Sequence, residues 1–477
     1  MMRGAKSYSK RFINALIHNF LHYKTGILMA RKILRHFPGL EQSVQVYIYY
    51  IKKEILSHSI KQENIKSSQH HVHSKNSTEK RKLLIDLTQF FLFGGSFGIR
   101  RVVSKITTEL LNNPPQGWGV EAVYADGEGR LRHIIMANNA PCCEAIPNPN
   151  DALATISQGD VFYCPYVHKD YSFPMVEGLK KKGVRVIFTV YDTIPLLNKK
   201  FVHRLHHIVY GDWFSKVLDL ADGIVCDSRA VVDEIFTWVQ DHPAARASTL
   251  PMGYFHLGVD TFDDRKNFYD IGDDADLVGA MKKRQSLLMV GTLERHKGHD
   301  QALAAIELLW NEGIDVNLII IGSEGWNVRK LARNLRSHRE QKRRLFWLEN
   351  ASDMLIGMLY SQSSALLAAS YIEGFGLPIV EAGRYGLPII AREIAVFQEV
   401  AGDHAFYFKG ERPRDLAQAI NKWLELTRIG KAPVSNGMPW LTWSQSVEQL
   451  LQVILHNQWC CEWKAEAQVQ TPGDYPK

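Results

Sequence analysis

Short apolar runs that alternate with helical segments constrain the fold of this chain more than any other feature. The first series consists of KLLIDLTQFF, GDVFYCP, VRVIFTVYD and ADGIVCDS, and a segment with helical apolar spacing lies near each run. Apolar runs of this length are typical of buried strands, and strands that alternate with helices form a parallel sheet. We therefore predict one α/β domain over residues 83–260.

A second series of apolar runs predicts another doubly wound sheet over residues 261–438. It comprises SLLMVGT, VNLIIIG, RLFWLEN, SALLAAS and LPIIA, again with helical stretches between the runs. A chain of 477 residues exceeds what one hydrophobic core usually organises, so two domains are expected. The acidic stretch over 261–279 suits a linker between them. Two such domains facing one another leave a cleft at the carboxyl ends of their strands, where these folds bind ligands.

The net formal charge of +7 is concentrated at the start of the chain. Residues 1–82 contain 16 Lys and Arg against 4 Asp and Glu, with helical apolar spacing over 8–60 and a polar linker over 61–82. Two interpretations stay open: residues 1–80 attract an anionic membrane surface or an acidic partner, or they form a solvated leader. A histidine cluster in this linker is interpreted as solvated rather than metal-binding; it comprises His70, His71 and His73.

Several classes of protein are disfavoured by simple patterns. No run approaches the roughly 18 apolar residues of a membrane-spanning helix, and the beginning of the chain lacks the pattern of a secretory signal. The six cysteines show neither a CxxC pair nor zinc-finger spacing. We expect a cytoplasmic protein with reduced thiols, placed peripherally at the inner face of the cytoplasmic membrane if the basic segment binds lipid.

The segment SYIEGFGLPIVEAGRYGLPIIA, residues 370–391, is the most informative part of the sequence. Gly374 and Gly376 permit a close backbone approach, and Pro378 suits an early helical position, so a helix is predicted from about Ile379. The start of such a helix offers unpaired backbone N–H groups and the positive end of a dipole to a phosphate. The segment therefore predicts a site for a phosphorylated ligand.

Two carboxylates flank this turn, and carboxylates suit ribose and sugar hydroxyls, which donate hydrogen bonds to them. The whole string resembles the E-x7-E motif of retaining GT-B glycosyltransferases, especially glycosyltransferase family 4. The resemblance implies that Glu373 lies beside the donor sugar and that Glu381 holds the nucleotide ribose. It also implies donor contacts from the backbone of the turn, which comprises Gly374, Phe375, Gly376 and Leu377.

A second segment, LLMVGTLERHKGHDQAL, places cations at the carboxyl end of a strand, where a departing diphosphate would gather negative charge. The resemblance implies that Lys297 contacts the donor diphosphate. Family members often have arginine directly after the strand glycine, whereas here Thr292 follows Gly291. Arg295 or His296 would then supply the second positive contact.

The first predicted domain contains two segments that resemble the acceptor side of the family. GGSFGIRRVV resembles a glycine-containing loop near the reacting centre, with Gly94, Gly95 and Gly98 as its glycines. VRVIFTVYDTIPL ends a strand with Tyr191 and Asp192, where many relatives have histidine in place of Tyr191. A tyrosine is a poor base near neutral pH, so Asp192 is the candidate for acceptor contact, with capping of the next turn as the alternative.

Further segments extend the resemblance to residues 83–456. Ser228 and the segment Gly258–Asp260 are expected to line the cleft or join the domains. Residues 439–456, with Trp443, resemble the closing helix that packs back across the domains, and residues 457–477 are left as a tail. The resulting prediction is a GT-B fold of two Rossmann-like domains facing a cleft, with a basic helical N-terminal extension.

An alternative metal-dependent class would use a DxD motif. Asp273, Asp274 and Asp276 offer such a pattern, but no apolar strand precedes them, and a solvated acidic turn is favoured. We therefore expect no metal. A non-catalytic GT-B subunit that binds a glycan or nucleotide is the functional alternative to an enzyme, and binding of nucleic acid ranks below both.

The predicted function is transfer of a hexose, with retention, from a nucleotide sugar to a glycan or lipid-linked glycan. Similar segments occur in mannosyltransferases of bacterial surface-polysaccharide assembly, so GDP-mannose is the favoured donor and a UDP-hexose the alternative. Catalytic roles fall to Glu373, Lys297 and Asp192, and no cofactor beyond the donor substrate is expected.

Overall fold

The structure is a computed structural model that describes residues 80–92, 97–126, 128–134, 151–166, 173–242, 246, 248–260 and 275–464. The predicted basic extension, Gly94, Gly95, Asp273 and Asp274 lie outside the described residues. The chain divides into two units, and residues 202–209 are the described part of the first. The second unit comprises residues 80–201 and 210–477 and contains both predicted α/β domains.

The first sheet has the strand order β16-β7-β6-β5-β4-β1-β2-β3 among the described residues. All neighbours pair in parallel except the two edge strands, β16 and β3, which pair antiparallel. Its strands are β1 Arg81–Asp86, β2 Trp118–Ala125, β3 Leu131–His133, β4 Val161–Cys164, β5 Arg185–Val190, β6 Gly223–Cys226, β7 Leu250–Tyr254 and β16 Cys461–Trp463.

The second sheet is parallel throughout and has the order β11-β10-β9-β12-β13-β14. This order reverses between β9 and β12, so the ligand crevice of a doubly wound sheet is expected at their carboxyl ends. Its strands are β9 Gln285–Val290, β10 Val316–Ile321, β11 Leu345–Leu348, β12 Ala365–Ala368, β13 Ile389–Arg392 and β14 Ala405–Phe408. A short parallel pair joins β8 Gly258–Val259 to β15 Leu441–Thr442.

Helices connect the strands in both sheets, as parallel pairing requires. They are α1 Thr88–Leu92, α2 Phe97–Asn112, α3 Phe173–Lys181, α4 Ile194–Leu197, α5 Arg204–Leu220, α6 Arg229–Asp241, α7 Ala275–Lys283, α8 His299–Asn311, α9 Arg329–Ser337, α10 Asp353–Gln362, α11 Leu377–Tyr385, α12 Ala395–Ala401, α13 Pro413–Arg428 and α14 Trp443–Ile454. Within the described ranges, no helix has the length and apolar character needed to cross a membrane.

Both faces of each sheet are buried, which explains why the strands read as continuous apolar runs rather than alternating ones. In β1, Leu83 and Ile85 belong to one core cluster, whereas Leu84 between them belongs to another. In β9, Leu288 and its neighbour Leu287 likewise enter different clusters. The prediction of two parallel α/β domains is confirmed.

Two segments differ from their sequence-based description. Part of the predicted linker forms α7, because Leu277 and Ala280 lie one helical turn apart and are both buried. Cys461–Trp463, in the predicted tail, pairs with β7 and extends the first sheet. Helix α14 packs against α2 and β7, and Arg185 donates to the carbonyl oxygen of Ile454 at 3.1 Å.

Candidate active site

Two loops meet where the strand order of the second sheet reverses. The loop after β9 covers residues 291–298 and contains a short helical turn at Arg295–Lys297. The loop after β12 covers residues 369–376. The backbone N–H of Tyr371 donates to the carbonyl oxygen of His296 at 2.8 Å. The structure therefore brings together the two segments that the sequence singled out for donor binding.

Lys297 and Glu373 form an ion pair at this edge of the sheet. Nζ of Lys297 donates to Oε1 of Glu373, and the hydroxyl of Ser370 donates to the same oxygen at 2.7 Å. Burial alone would raise the pKa of Glu373, but the Lys297 ammonium and the hydrogen bonds from Lys297 and Ser370 act together against burial, so the pKa lies below its ordinary value. Glu373 is therefore an anion near neutral pH. The pair lines one cavity together with Gly376.

The histidines beside Lys297 are neutral near pH 7. Burial, followed by the Lys297 charge, lowers the pKa of His296 to about 4 and that of His299 to about 3. A buried imidazole beside an ammonium loses its proton, so His296 carries no charge of its own in this arrangement, and its contact with a diphosphate stays a prediction. Arg295 is exposed and lines a different groove. Lys297 is thus the cation that this loop places beside Glu373.

The beginning of the same loop is tied to the neighbouring strand. The N–H of Gly291 donates to the carbonyl oxygen of Ile321 at 2.9 Å, and the N–H of Leu293 donates to that of Ser323, also at 2.9 Å. Thr292 lies between them and is half-buried. These hydrogen bonds continue the pairing of β9 with β10 beyond the last residues of the two strands. They therefore determine where the loop leaves the sheet.

The glycine turn leads directly into helix α11. Gly376 precedes the helix with φ of 98°, a left-handed conformation that favours glycine. The helix begins at Leu377 rather than near Ile379, because Pro378 fits within its first turn. The N-terminus of α11 therefore lines the same cavity as Glu373, and the positive end of the helix dipole there favours an anion.

Gly374 lies against the first domain. A Cβ atom at this position would overlap the carbonyl oxygen of Tyr191, and the hydroxyl of Ser228 donates to the carbonyl oxygen of Gly374 at 2.6 Å. Phe375 is buried, with its ring centroid 5.6 Å from that of His256. Gly374 and Phe375 therefore form part of the contact between the domains. The sequence did not suggest this structural role for either residue.

Glu381 is held by both domains. Arg101, on α2 of the first domain, donates to Oε1 at 2.7 Å, and the hydroxyl of Tyr360 donates to Oε2 at 2.5 Å. Arg101 also donates to Asp260 at 2.9 Å, and Lys105 pairs with the other oxygen of Asp260 at 2.5 Å. The predicted ribose-binding carboxylate is therefore positioned by a charge network from the first domain.

Asp192 follows the end of β5, is half-buried, and accepts a hydrogen bond from the N–H of Ile194 at 3.0 Å. Burial, followed by the Glu373 charge, raises its pKa to about 6, despite the opposing effect of this hydrogen bond. The side chain of Tyr191 points into the core instead, where its hydroxyl donates to the carbonyl oxygen of Pro165 at 2.8 Å. The prediction that the Tyr191 side chain lines the cleft is corrected, and its carbonyl oxygen faces Gly374.

A further buried carboxyl group lies at the end of β6. Oδ1 of Asp227 is buried without a hydrogen-bond partner among the described residues. Burial, followed by the charge of Asp192, raises the pKa of Asp227 well above its ordinary value. Ser228, next in the chain, caps helix α6 by accepting from the N–H of Val231 at 3.2 Å. Burial therefore disfavours the ionised form of Asp227.

Glu399 connects the two domains on the other side of the turn. It accepts hydrogen bonds from the backbone N–H groups of Arg229 and Ala230, both at 2.8 Å, and lies 2.7 Å from Nε2 of His256. These N–H groups belong to the first turn of α6, where a carboxylate is stabilised by the helix dipole. Glu399 thus holds the first domain against the second.

Several of these residues were missed by sequence reasoning. The signal for Arg101 was present, since it follows the glycines of GGSFGIRRVV, and Ser370 stands at the start of the informative segment. Tyr360, Asp227 and Glu399 carried no such signal. Gly98 is exposed in the first turn of α2 with no atom within 4 Å of a Cβ placed there.

The architecture and the site together define a class of protein. Two doubly wound domains in contact, with a lysine, a glycine turn and two carboxylates at the switch point of the second, form a GT-B fold. Sucrose-phosphate synthase from Thermosynechococcus elongatus has a similar structure, with a TM-score of 0.51 and 14% identity, covering 79% of this chain and 95% of that one. This likeness concerns the fold alone.

Sequence comparison places the second domain in a family. Residues 275–437 match the family described as glycosyl transferases group 1. The chain therefore contains a glycosyl transferases group 1 domain on a GT-B fold, which confirms the predicted fold class and family resemblance. The finer assignment to glycosyltransferase family 4 stays a prediction.

Two relatives are bacterial mannosyltransferases. The chain is 36% identical over 390 residues to the serotype-specific mannosyltransferase WbdA of Escherichia coli, a match that covers 80% of this chain and 46% of WbdA. It is 26% identical over 249 residues to the O-antigen chain mannosyltransferase RfbU of Salmonella typhimurium, covering 51% of this chain and 65% of RfbU. The chain thus spans about half the length of WbdA.

Proposed function

We propose that this chain is a retaining glycosyltransferase that moves a hexose, with mannose favoured, from a nucleotide sugar to a glycan or lipid-linked glycan in surface-polysaccharide biosynthesis. The observation that carries the proposal is the contact between Lys297 and Glu373 beside the N-terminus of α11. The printed names of WbdA and RfbU support mannose as the sugar and a surface polysaccharide as the product.

Lys297 would stabilise the diphosphate as it leaves the sugar. An ammonium that is fixed in place before the reaction stabilises developing negative charge without reorganisation. The N-terminus of α11 adds a partial positive charge at the same edge. Leaving-group stabilisation of this kind needs neither a metal ion nor a charged histidine, so we propose that the reaction is metal-independent.

Glu373 would orient the donor sugar and stabilise positive charge at its anomeric carbon. Its pKa lies below the ordinary value, so it acts as an anion and not as a general acid. Glu381 would accept hydrogen bonds from the ribose hydroxyls, because a carboxylate offers about four lone-pair sites and the two present donors leave some of them available. Asp192, on the first domain, would contact the acceptor hydroxyl.

In this mechanism the departing diphosphate accepts the proton of the acceptor hydroxyl on the same face of the sugar. The new glycosidic bond forms as the bond to the diphosphate breaks, and the anomeric configuration is retained. We propose GDP-mannose as the donor, with a UDP-hexose as the alternative. A cytoplasmic position at the inner face of the membrane would suit a lipid-linked acceptor.

A non-catalytic GT-B subunit is the second candidate. One observation favours it: among the described residues, the loop after β9 places a single cationic side chain beside Glu373, since His296 is neutral and Arg295 lines another groove. Such a protein would bind a nucleotide sugar without transferring its sugar.

The deciding experiment incubates the chain with GDP-mannose, UDP-glucose and UDP-galactose, each with a mannose-containing oligosaccharide acceptor. Transfer from GDP-mannose, an α-linked product by NMR and full activity in EDTA are the expected results. A β-linked product would contradict retention, and activity that EDTA abolishes and manganese restores would contradict the metal-independent mechanism. Binding of the donor without any transfer would favour the non-catalytic subunit.

A further inference from the structure

A second concentration of positive charge lies in the described part of the chain, in and after helix α9. Residues 329–344 contain eight Lys and Arg against a single acidic residue, Glu340. This segment is separate from the basic residues at 1–82. Because α9 belongs to the glycosyl transferases group 1 domain, its charge needs an explanation of its own.

Helix α9 has one apolar side and one cationic side. It buries Ala332 and Leu335 against the second sheet, whereas Arg329, Lys330 and Arg333 are exposed. None of these three cations forms an ion pair with a described residue. They therefore present positive charge to the solvent that no ion pair neutralises. On most protein surfaces, nearby carboxylates reduce such charge.

Some of the basic residues after Arg333 form ion pairs with carboxylates. Arg336 lies 2.6 Å from Glu349 and 2.9 Å from Glu324, and Arg344 lies 3.0 Å from Glu340. Within α9, the cations without an ion pair are thus those at its beginning; after the helix, Lys342 and Arg343 are also exposed and form no ion pair with a described residue.

The surface formed by these unpaired cations extends to the loop after β9. Lys330 and Arg333 line an open groove together with Arg295, the arginine that does not line the cavity of Lys297. Two carboxylates, Asp300 and Glu307, line the groove as well, and Glu307 lies 2.9 Å from Nε2 of His338. The three cations that line the groove outnumber its two carboxylates.

A large aromatic side chain lies just before this helix. Trp326 is 55% exposed, which is unusual for a tryptophan on a water-facing surface. The N–H of the preceding Gly325 donates to the carbonyl oxygen of Leu293 at 3.1 Å. The segment that carries Trp326 is therefore attached to the loop that carries Lys297. We call the exposed side chains of this surface the basic rim; it comprises Arg295, Trp326, Arg329, Lys330 and Arg333.

We propose that the basic rim adsorbs to the surface of an anionic lipid bilayer. Lipid phosphates would neutralise the unpaired cations, and an indole beside cations is the combination that lies at the boundary between headgroups and acyl chains. A nucleic-acid partner is disfavoured because the rim has a single aromatic residue and no row of them on which bases could stack. Adsorption requires no turnover, so the inference goes beyond the proposed function.

Local hydrogen–deuterium exchange tests the proposal on the full chain, independently of what residues 1–80 contribute. The chain is mixed with vesicles of phosphatidylcholine, alone or with phosphatidylglycerol, and exchange is followed in peptides covering 322–343. Slower exchange only with the anionic vesicles is the expected result. Vesicle binding without protection of these peptides would overturn the proposal, and so would protection by a DNA duplex but not by vesicles.

Variants provide the second readout. Each Lys or Arg near an anionic surface contributes about five-fold to partitioning, so R329A/K330A/R333A should lower partitioning by at least about ten-fold. The control R414A/K422A/R428A removes three exposed cations from α13 and should change partitioning by less than about two-fold. Equal losses in both variants would show a general charge effect and would contradict a specific surface. Circular dichroism and the thermal midpoint establish that both variants are folded.

Discussion

Arg101 and Glu381, which are 280 positions apart in the sequence, lie 2.7 Å apart across the junction between the two domains. Glu381 is the carboxylate for which we propose binding of the donor ribose, so its orientation depends on a residue of the other domain. Asp260 holds the same guanidinium at 2.9 Å. The position of the ribose site and the contact between the domains are therefore linked.

We expect Arg101→Ala to raise the donor KM by about three- to ten-fold and to change kcat less, because a carboxylate that loses a charged hydrogen bond worth about 1.5–3 kcal/mol is less well oriented. Lys105→Ala is the matched control, since Lys105 contacts Asp260 but not Glu381. Steady-state kinetics with a varied donor concentration distinguish the two variants. An unchanged donor KM in Arg101→Ala would show that Arg101 does not contribute to donor binding.

Lys297→Ala should lower kcat by about 10²–10³, the cost of removing one fixed group that stabilises transition-state charge. The control is Arg295→Ala, a cation two positions away that lines another groove, and its kcat should stay within about two-fold. Turnover of a radiolabelled nucleotide sugar gives both values. A larger loss in Arg295→Ala than in Lys297→Ala would reverse the assignment.

The pH dependence of kcat/KM should show an acidic limb near 6. The pKa of Asp192 is raised to about 6, mainly by burial, so the group gains a proton and loses its charge as the pH falls through that value. The pKa values of His296 and His299, about 4 and 3, lie below this range. Asp192→Asn should remove the limb, whereas an unaltered limb in that variant would assign the titration to another group.

Asp227→Asn should become more stabilising relative to the natural protein as the pH rises, since burial raises the pKa of Asp227 and disfavours its ionised form. A pKa raised by folding contributes stability that is complete below the unfolded value, about 3.9, and is lost as the pH rises through the folded value. The natural protein should therefore lose stability at alkaline pH relative to Asp227→Asn. Parallel denaturant titrations at pH 5 and pH 9 test this; equal differences in the free energy of unfolding at both would contradict a pKa that folding raises.

Gly374→Ala should destabilise the junction between the domains by about 1–3 kcal/mol, because the added Cβ would overlap the Tyr191 carbonyl oxygen and backbone atoms must shift. Gly279→Ala is the control. Gly279 lies inside α7 with no atom within 4 Å of an added Cβ, and there alanine should stabilise the helix by about 0.5–1 kcal/mol. Urea unfolding measures both. Equal free energies of unfolding in the two variants would show that the backbone at the junction moves to accept the added Cβ without loss of stability.

The strands and helices were largely predictable because they depend on local patterns. Runs such as SLLMVGT and VNLIIIG became β9 and β10, and the glycine turn before Leu377 led into a helix as expected. Cys461–Trp463 was not predictable in this way. A three-residue edge strand has no periodicity to detect, and its pairing with β7 depends on where α14 returns the chain.

The candidate site was predictable only where one short segment carried several of its parts. Glu373, Gly376 and Glu381 lie within nine residues, and their spacing pointed to donor binding. The charge of His296 could not be read in the same way. Its pKa depends on burial and on Lys297, and neither follows from its position beside other basic residues.

The sequence by itself determined two doubly wound α/β domains and the segment EGFGLPIVE as part of a ligand site. Both follow from interactions among residues close in the chain, namely strand periodicity, glycine conformation and helix initiation. Only the tertiary structure decided that Arg101 holds Glu381, that Glu399 caps α6 across the junction, and that Asp192 and Asp227 have raised pKa values. These properties depend on burial and on charges brought from distant parts of the chain, and the strength of a charge interaction depends on that environment.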